Sequence, residues 1–353
     1  MKRILVNGAS GRIGRAVTYG LMQLMMQGAP LEIAALNDPV GIDALFRNYT
    51  RRDSTHGKLP WQVEKKGNVL YLNGCPVEVL AEKDPSKLPL EERGVQIVEE
   101  CSGFYAKPDA AMAFLRASVE RVILSYPAKG DQHAEQYATL ITGVNHGMFE
   151  PSKHRCISNA SCTTKALAAP LAILLDQGVS IDALLMDTVH AATNSQHLLD
   201  VGDDYAALNQ IVTAKTGAAI ATGEVIPSLK GKMDGLSFRV PTTDGSFANL
   251  YFVASSGGEL TFEVVNTLLR HGSLNPRYFG RVAVHEEKEA ASSDIIGRTE
   301  NAVIIASKTR VFPLPFSPQG KKAYFVSLVS GYDNELGPPK DQALLTRYIA
   351  DFE

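Results

Sequence analysis

The sequence predicts an α/β protein with an N-terminal doubly wound parallel sheet and a C-terminal α+β domain whose sheet is mostly antiparallel. Two observations support this prediction. Up to about residue 125, segments with the period of a strand alternate with segments with the period of a helix, which is typical of a parallel sheet. After residue 162 strands outnumber helices, as in α+β domains. The 353 residues are enough for about two domains.

The N-terminal part begins with a strand, a helix and a second strand. A short apolar run at residues 2–6 predicts the first strand, and apolar residues at helical spacing predict a helix from Arg15 to about Met26. Residues 31–36 predict a strand that ends just before Asp38. Further along, strands are predicted at 96–100 and 121–125, with a helix at 108–116 between them.

The C-terminal part has one long helical segment at its start and then mainly strands. The long helix is predicted at 165–175, directly after Cys162. A second helix is predicted at 259–271 and a last one at about 340–352. The strands are predicted at 183–190, 236–240, 249–254, 302–305 and 323–330.

Composition and charge limit the possible functions. Apolar residues make up 45% of the chain and charged residues 21%, and the net charge of −3 gives no reason to expect binding to nucleic acid or to an anionic membrane. The four cysteines include no Cys-x-x-Cys pair, so neither a disulfide scaffold nor a zinc ribbon is predicted. Because no apolar run is long enough to span a membrane, we expect a cytoplasmic protein.

Three glycines predict a nucleotide site at the start of the first helix. Gly8, Gly11 and Gly14 would permit a tight turn and a close approach of a pyrophosphate to the helix N-terminus. A glycine turn without a ligand would show the same spacing, but Asp38 lies where a carboxylate would bind ribose hydroxyls. Because that carboxylate would repel a 2′-phosphate, the sequence favours NAD over NADP in a Rossmann-type domain.

Cys162 is the strongest candidate for a nucleophile. It precedes the long helix, so its thiol would face unpaired N–H groups and the positive end of the helix dipole. Both favour the thiolate, which is the reactive form. Most free cysteines are buried and inert, but the polar neighbours Asn159, Ser161 and Thr163 argue against a dry core here.

Other residues extend this candidate site. His190 ends an apolar strand and could shuttle protons for the thiol, although most histidines have only a structural role. Thr216 and Gly217 resemble a turn into a helix that offers N–H groups to an anion. Arg239 lies in an apolar strand, where it would bind an anion or form a structural ion pair. No other ligand stands at metal spacing, so no metal site is predicted.

Taken together, these residues resemble the phosphorylating glyceraldehyde-3-phosphate dehydrogenase family. The stretch Ser158-Asn-Ala-Ser-Cys-Thr-Thr164 is highly specific, and the other matches follow in the family's order over nearly the whole chain. These matches are Asn7-Gly…Gly11-Arg-Ile-Gly-Arg15, Asn37-Asp-Pro39, Asp53-Ser-Thr-His-Gly57, Gly143-Val-Asn145, Thr188-Val-His190, Thr216-Gly-Ala-Ala219, Phe238-Arg-Val-Pro-Thr242 and Tyr332-Asp-Asn-Glu335.

The resemblance implies a reaction and a role for each matching residue. Cys162 would attack the aldehyde of glyceraldehyde 3-phosphate, and His190 would act as base while the thiohemiacetal passes hydride to NAD. Inorganic phosphate would cleave the resulting thioester and release 1,3-bisphosphoglycerate. Two sets of residues would hold phosphate groups. The phosphate of the substrate would be bound by Thr193 and Arg239, and the attacking inorganic phosphate would be bound by Ser161, Thr163, Thr216 and Gly217. The residues implied around the cofactor are Gly8, Gly11, Arg12, Ile13, Gly14, Asp38, Lys83, Ser125 and Asn334.

The resemblance also implies domain boundaries and an assembly. Residues 1–160 and 334–353 would form the NAD-binding domain, with the last helix packed back onto it, and residues 161–333 would form the catalytic domain. The enzyme would be a homotetramer. Two departures from the family stand out: Lys165-Ala166 replaces the usual Asn-Cys, and the segment 191–215 is several residues shorter than usual.

Two other functions stay open at this point. A relative that oxidises another phosphosugar aldehyde, such as erythrose 4-phosphate, is compatible with His190-Ala-Ala192, although Thr216, Gly217 and Arg239 favour the triose. A non-catalytic NAD-binding sensor is disfavoured, because Cys162 and the other residues of the chemistry are all present.

Overall fold

A computed structural model describes residues 1–128, 135–193, 196–202, 204–316 and 321–352. Within these ranges the chain forms seventeen strands and eight α-helices. The strands are β1 (Lys2–Asn7), β2 (Leu31–Asn37), β3 (Val63–Lys66), β4 (Val69–Leu72), β5 (Cys75–Leu80), β6 (Ile97–Glu100), β7 (Arg121–Leu124), β8 (Tyr137–Thr139), β9 (Cys156–Ser158), β10 (Ser180–Ala191), β11 (Val212–Lys215), β12 (Met233–Val240), β13 (Ser246–Ser256), β14 (Val282–His285), β15 (Ala302–Ile305), β16 (Arg310–Pro313) and β17 (Lys322–Tyr332). The helices are α1 (Arg12–Met26), α2 (Gly41–Thr50), α3 (Pro108–Met112), α4 (Cys162–Asp176), α5 (Ala218–Val225), α6 (Phe262–Ser273), α7 (Ser292–Ile295) and α8 (Gly337–Ala350).

Residue contacts divide the chain into two units. The first comprises Met1–Ile141, His146–Ala160 and Pro338–Glu353, and the second comprises Thr142–Asn145 and Ser161–Gly337. The chain returns to the first unit at Pro338 rather than at the predicted residue 334. The reason is local: residue 334 is held inside the second unit, by bonds to Asp244 and Ser246.

The first unit is built on a nine-stranded sheet in the order β3-β4-β5-β2-β1-β6-β7-β9-β8. Its pairs are parallel except at the β3–β4–β5 edge, where they are antiparallel. Both faces of β1 are covered: Ile4 and Val6 belong to one apolar cluster and Leu5 to another. A parallel sheet with apolar layers on both faces is the doubly wound arrangement, so this prediction is confirmed.

Several elements of the first unit differ from the sequence prediction. The β3–β4–β5 hairpins and α2 were not predicted, and α3 ends at Met112 instead of Arg116. After α3 the backbone continues in short turns, with the Phe114 N–H donating to the Ala111 carbonyl, and Ala117 adopts a φ of +53°. Short turns therefore replace the second half of the helix that the sequence predicted.

The second unit is built on an eight-stranded sheet in the order β11-β12-β10-β13-β17-β15-β14, with β16 paired to β17. Only the β10–β12 and β14–β15 pairs are parallel, so the prediction of a mostly antiparallel sheet is confirmed. Helix α4 packs on one face of this sheet and also contacts α5 and α6. All its residues from Thr163 to Leu174 are buried, which fixes the position of its N-terminus firmly.

A buried carboxyl group on β6 anchors the last helix within the first unit. Glu99 is fully buried and accepts hydrogen bonds from two α8 side chains, the Thr346 hydroxyl and, at 2.6 Å, the Gln342 amide. Burial is the main cause that raises the pKa of Glu99 to about 7, and the two hydrogen bonds act in the opposite direction. The carboxyl group is therefore half protonated near neutral pH in the folded protein.

We expect Glu99→Gln to stabilise the protein at alkaline pH. Between the ordinary glutamate pKa of 4.5 and about 7, the folded chain holds a proton that the unfolded chain releases, so the wild type loses stability as pH rises through this window. The variant cannot ionise and should gain up to about 3 kcal/mol relative to wild type. The measurement is the difference in melting temperature from about pH 5 to about pH 8. Exposed Glu64→Gln is the control, and a difference for Glu99→Gln that does not change with pH would contradict the account.

Candidate active site

The N-terminus of α4 presents Cys162 as its first residue. Ser161 is the N-cap: its hydroxyl accepts the Thr164 N–H at 3.0 Å and lies 2.7 Å from the Thr164 hydroxyl. This cap satisfies one of the open N–H groups of the first turn and fixes the direction in which the helix begins. Cys162 as a whole residue is half-buried.

The structure brings His190 to this thiol. His190 lies near the end of β10 with only 5% of its surface exposed, and its Nε2 is 3.5 Å from Cys162 Sγ. On the other side of the ring, Nδ1 lies 2.7 Å from the carbonyl oxygen of Ala191. A thiol and an imidazole at this separation can exchange a proton, so the sequence prediction that these two residues act together has the geometry that it needs.

Arg239 is the third member of the group. It lies on β12, opposite His190 in the register of the parallel β10–β12 pair. Its Nη1 is 2.5 Å from His190 Nδ1 and 3.3 Å from the Ala191 carbonyl oxygen. No ion pair joins Arg239 to a carboxylate in the part of the chain that the structure describes, so the structural salt bridge considered from the sequence is not what holds this side chain.

Burial and charge set the protonation of the Cys162–His190 pair. Burial, and after it the charge of Arg239, lowers the pKa of His190 to about 4. Burial raises the pKa of the Cys162 thiol, while hydrogen bonds to Thr163 and the charges of Arg239 and Lys165 act in the opposite direction. Hydrogen bonds at the helix start favour the thiolate, as expected from the sequence, but burial has the larger effect on the pKa of Cys162.

Sequence reasoning assigned no role to Tyr332, which supports this group from β17. Its buried hydroxyl lies 3.0 Å from the Thr163 hydroxyl and 2.7 Å from the Thr188 hydroxyl, and its ring meets the His190 ring edge-on at 5.9 Å. The only signal for it was its place at the start of the Tyr332-Asp-Asn-Glu335 stretch. Tyr332 ties α4 and β10 together beside the thiol and the imidazole.

The predicted phosphate residues lie in the second unit as well. Thr216 and Gly217 stand at the start of α5, where the Thr216 hydroxyl accepts the Ala218 N–H at 3.2 Å. Thr193 follows β10, and its N–H donates to the Gln196 side chain at 2.7 Å. The short segment 191–215 also contains residues 194, 195 and 203, which lie outside the described residues.

The glycine loop of the first unit has the geometry of a dinucleotide cradle. Gly8 has a φ of +78°, and a Cβ on it would lie 2.6 Å from the Ser102 nitrogen. A Cβ on Gly14 would lie 2.2 Å from the Gly8 carbonyl oxygen. Gly11 is the N-cap of α1, with no side-chain cap and with room around it, so the first turn of the helix is open to an anion.

The other residues predicted around the cofactor have varied surroundings. The Asp38 carboxylate, at the end of β2, accepts hydrogen bonds from the Ser10 N–H at 3.0 Å and the Ser10 hydroxyl at 2.6 Å. The Arg12 guanidinium is paired with Asp53 at 2.9 Å, so the side chain of Arg12 is already engaged within the protein. Of the remaining predicted positions, Ile13 is half-buried and Lys83 is exposed. The Ser125 N–H donates to the Glu100 carbonyl, and the Asn334 side chain accepts a hydrogen bond from the Ser246 hydroxyl.

Comparison with known proteins decides the family. The model of the NAD binding domain of glyceraldehyde 3-phosphate dehydrogenase matches residues 2–108, and the model of the C-terminal domain matches residues 161–334. The chain is 38% identical to the glyceraldehyde-3-phosphate dehydrogenase of Chlamydia muridarum, over 98% of each chain. It is 36% identical to glyceraldehyde-3-phosphate dehydrogenase 1 of Bacillus subtilis and to the enzyme of Geobacillus stearothermophilus, over 99% of this chain and 98% of each relative.

The chain belongs to the glyceraldehyde-3-phosphate dehydrogenase family. It is therefore an oxidoreductase with NAD as its cofactor, and the predictions of the family and of the cofactor are confirmed. The open N-terminus of α1 at Gly11 fits the pyrophosphate of NAD, and Gly8 and Gly14 allow the close backbone packing that forms this turn. No helix among the described residues is both long enough and apolar enough to cross a membrane.

Lys165, part of the departure from the family that the resemblance implied, lies close to Cys162. Lys165 is fully buried on α4, three residues after Cys162, and residues at this spacing lie on the same side of a helix. A buried ammonium group is costly unless its charge is compensated, and here it is one of the groups that lower the pKa of Cys162 against the effect of burial. The Cys162 thiolate would provide part of that compensation.

We expect His190→Asn to slow the alkylation of Cys162 at neutral pH. Without the imidazole, Cys162 remains a thiol whose pKa is raised by burial, so it should react only at a pH above the ordinary thiol value of about 8.5. A loss of about tenfold at neutral pH corresponds to a shift of one pKa unit. The rate of iodoacetamide addition to the Cys162 peptide, followed by mass spectrometry over a range of pH, measures this.

The matched control is His271→Asn, which removes an exposed imidazole from α6. It should have the pH profile of the wild type. If the profile of His190→Asn also superimposed on that of the wild type, His190 would not be the proton acceptor for Cys162.

Proposed function

We propose that this protein oxidises glyceraldehyde 3-phosphate to 1,3-bisphosphoglycerate with NAD and inorganic phosphate, with Cys162 as nucleophile and His190 as base. The observation that supports this most directly is the 3.5 Å approach of Cys162 Sγ to His190 Nε2 at the start of a buried helix. In a member of this family, a thiol beside a possible proton acceptor is the arrangement that a covalent catalytic site requires.

In the first step the thiol proton passes to His190 Nε2, and the sulfur attacks the aldehyde carbon. A C–S bond forms, the C=O double bond becomes a single bond, and its oxygen takes the proton from His190 Nε2 to give a thiohemiacetal, which leaves His190 neutral again. The N–H groups at the start of α4 and the charges of Arg239 and Lys165 stabilise the negative charge that develops on sulfur and oxygen.

In the second step the thiohemiacetal is oxidised by the loss of a hydride from its C–H bond and of a proton from its hydroxyl group. The nicotinamide of bound NAD supplies the acceptor for the hydride of the C–H bond. His190 Nε2 takes the hydroxyl proton, and the carbon remains bonded to Cys162 as a thioester. Water hydrolyses a thioester. The burial of His190 and the residues around it limits access of solvent and so slows this side reaction.

In the third step an oxygen of inorganic phosphate attacks the thioester carbon. The C–S bond breaks, Cys162 leaves as the thiolate, and the acyl phosphate is released. We assign the attacking phosphate to the hydroxyls and N–H groups of Ser161, Thr163, Thr216 and Gly217, because the start of α5 offers N–H donors to an anion. We assign the phosphate of the substrate to Thr193 and Arg239, since the Arg239 guanidinium has no carboxylate partner among the described residues.

The cofactor would be held in the first unit mainly by the backbone. Its pyrophosphate would meet the N-terminus of α1 at Gly11, Arg12 and Ile13, and its ribose hydroxyls would meet Asp38. The carboxylate of Asp38 and the pairing of Arg12 with Asp53 both act against a 2′-phosphate, which supports the preference for NAD. Lys83 and Ser125 complete the proposed set.

We further propose a cytoplasmic homotetramer. The sheet of the second unit carries large apolar side chains that are exposed in the single chain, among them Leu185 and Val189 on β10 and Leu236 on β12. Leu236 lies opposite Asp187 in the register, which places it on the same side of the sheet as its β10 neighbours Leu185 and Val189. Apolar strand faces of this kind are typical of surfaces that subunits cover.

We expect sustained turnover of glyceraldehyde 3-phosphate to NADH only when inorganic phosphate is present, and Cys162→Ala to abolish NADH formation. Without the nucleophile no thioester forms, so the loss should be complete within detection, while NAD still binds. Absorbance of NADH measures turnover, and fluorescence quenching measures NAD binding. Cys75→Ala removes a half-buried thiol of the first unit as a control and should keep the activity.

The same assay with NADP and with erythrose 4-phosphate separates the alternatives. A large preference for the tetrose would show that erythrose 4-phosphate, and not the triose, is the substrate. If the wild-type protein, with its thiol reduced, oxidised no phosphorylated aldehyde with either cofactor, the enzymatic proposal would be falsified and a binding function would take its place.

We expect Gly11→Ala and Gly14→Ala to differ in a way that tests the cofactor site. A methyl group on Gly11 has room within the protein but lies where the pyrophosphate would pass, so NAD affinity should fall by about tenfold or more without loss of thermal stability. A methyl group on Gly14 clashes with the Gly8 carbonyl, so both stability and affinity should fall. Calorimetric titration with NAD and a melting curve measure the two quantities, and unchanged affinity in Gly11→Ala would contradict the assigned site.

A further inference from the structure

Two groups compete for one nitrogen of His190. Nδ1 lies 2.5 Å from Arg239 Nη1 and 2.7 Å from the Ala191 carbonyl oxygen. The guanidinium can only donate, and the carbonyl can only accept. Nδ1 of a neutral imidazole therefore bonds to Arg239 when it carries no proton, and to Ala191 when it carries one.

The choice at Nδ1 decides what Nε2 can do for Cys162. A neutral imidazole has one N–H group. If Arg239 donates to Nδ1, the proton is on Nε2, which then faces Cys162 Sγ as a donor and cannot accept the thiol proton. If Nδ1 donates to Ala191, Nε2 has a free lone pair 3.5 Å from Sγ and can act as a base.

We infer that Arg239 is a positioning residue that couples recognition of the substrate's phosphate to the basicity of His190. A phosphate group that draws the guanidinium away from Nδ1 lets the imidazole proton move to Nδ1, where Ala191 accepts it. The thiol proton of Cys162 can then pass to Nε2, which gives a thiolate and an imidazolium with no other reactant. This inference rests on the proposed function, in which Arg239 binds that phosphate.

The position of Arg239 in the sheet allows it to bond either to His190 or to a phosphate group. Register places it directly across from His190, so the two side chains meet as cross-strand neighbours. Within the described residues, its Nε has no hydrogen-bond partner and no carboxylate holds the guanidinium. A phosphate dianion is a far stronger partner for a guanidinium than a neutral imidazole, because two charged hydrogen bonds replace one.

At His190 the surrounding charges act in the same direction as this change of hydrogen bond, whereas at Cys162 the charge of Arg239 favours the thiolate. Burial together with the Arg239 charge lowers the pKa of His190, so withdrawal of that charge toward an anion raises it. Asp244 already acts to raise the pKa of His190, although more weakly. The other titratable or charged groups near the pair are Cys162 and Lys165 from α4 and Tyr332 from β17.

The experiment measures alkylation of Cys162 by iodoacetamide, a neutral reagent, with and without phosphite dianion as a probe for the phosphate group. In the wild type near pH 6, phosphite should accelerate alkylation by about tenfold, the change expected for one pKa unit. Arg239→Met keeps the length of the side chain without its charge. This variant should show no response to phosphite, and the low-pH step of its profile should lie at higher pH than in the wild type. Arg270→Met removes an exposed guanidinium of the same unit and should respond like the wild type.

The outcomes separate this inference from the proposed function. If phosphite inhibits oxidation in competition with glyceraldehyde 3-phosphate but leaves the alkylation profile of the wild type unchanged, Arg239 binds phosphate without controlling His190, and the inference is overturned while the proposed function stands. If phosphite neither inhibits nor changes alkylation, the assignment of the phosphate to Arg239 is wrong and the inference falls with it. The wild-type arm decides the matter even if Arg239→Met does not fold.

Discussion

The approach of Cys162 Sγ to His190 Nε2 is the interaction on which the proposed chemistry of this protein depends. It results from two independent elements, since the thiol is the first residue of α4 and the imidazole stands at the end of β10. Helix α4 is buried along almost its whole length, and Tyr332 bonds to hydroxyls of both elements. Packing therefore holds the two reacting groups at fixed positions, which is what a covalent catalyst requires.

Burial shifts the two pKa values of this pair in opposite directions, upward for Cys162 and downward for His190. It disfavours both the thiolate and the imidazolium when each stands alone. An ion pair between them avoids part of that cost, and the cations Arg239 and Lys165 bias it toward the thiolate. Because the charge of Arg239 lowers the pKa of both residues, the charge state of the pair is sensitive to any anion that this arginine binds.

Much of the fold and of the site could be predicted from the sequence because the signals were local. The alternation of strand and helix periods predicted the parallel sheet, and the residues Ser158 to Thr164 singled out Cys162 as the candidate nucleophile. What could not be predicted depends on long-range contacts: the edge hairpins β3–β5 have weak patterns, and the role of Tyr332 exists only because β17 passes beside α4. The dominance of burial over the helix end at Cys162 is likewise a property of packing.

The most direct test of the central claim is the mass of the intact protein after one turnover without phosphate. With glyceraldehyde 3-phosphate and NAD but no inorganic phosphate, the account predicts a burst of NADH that equals the number of active sites. It also predicts a phosphoglyceroyl adduct on the peptide that contains Cys162, which disappears when phosphate is added. A burst without an adduct, or an adduct on another residue, would contradict it.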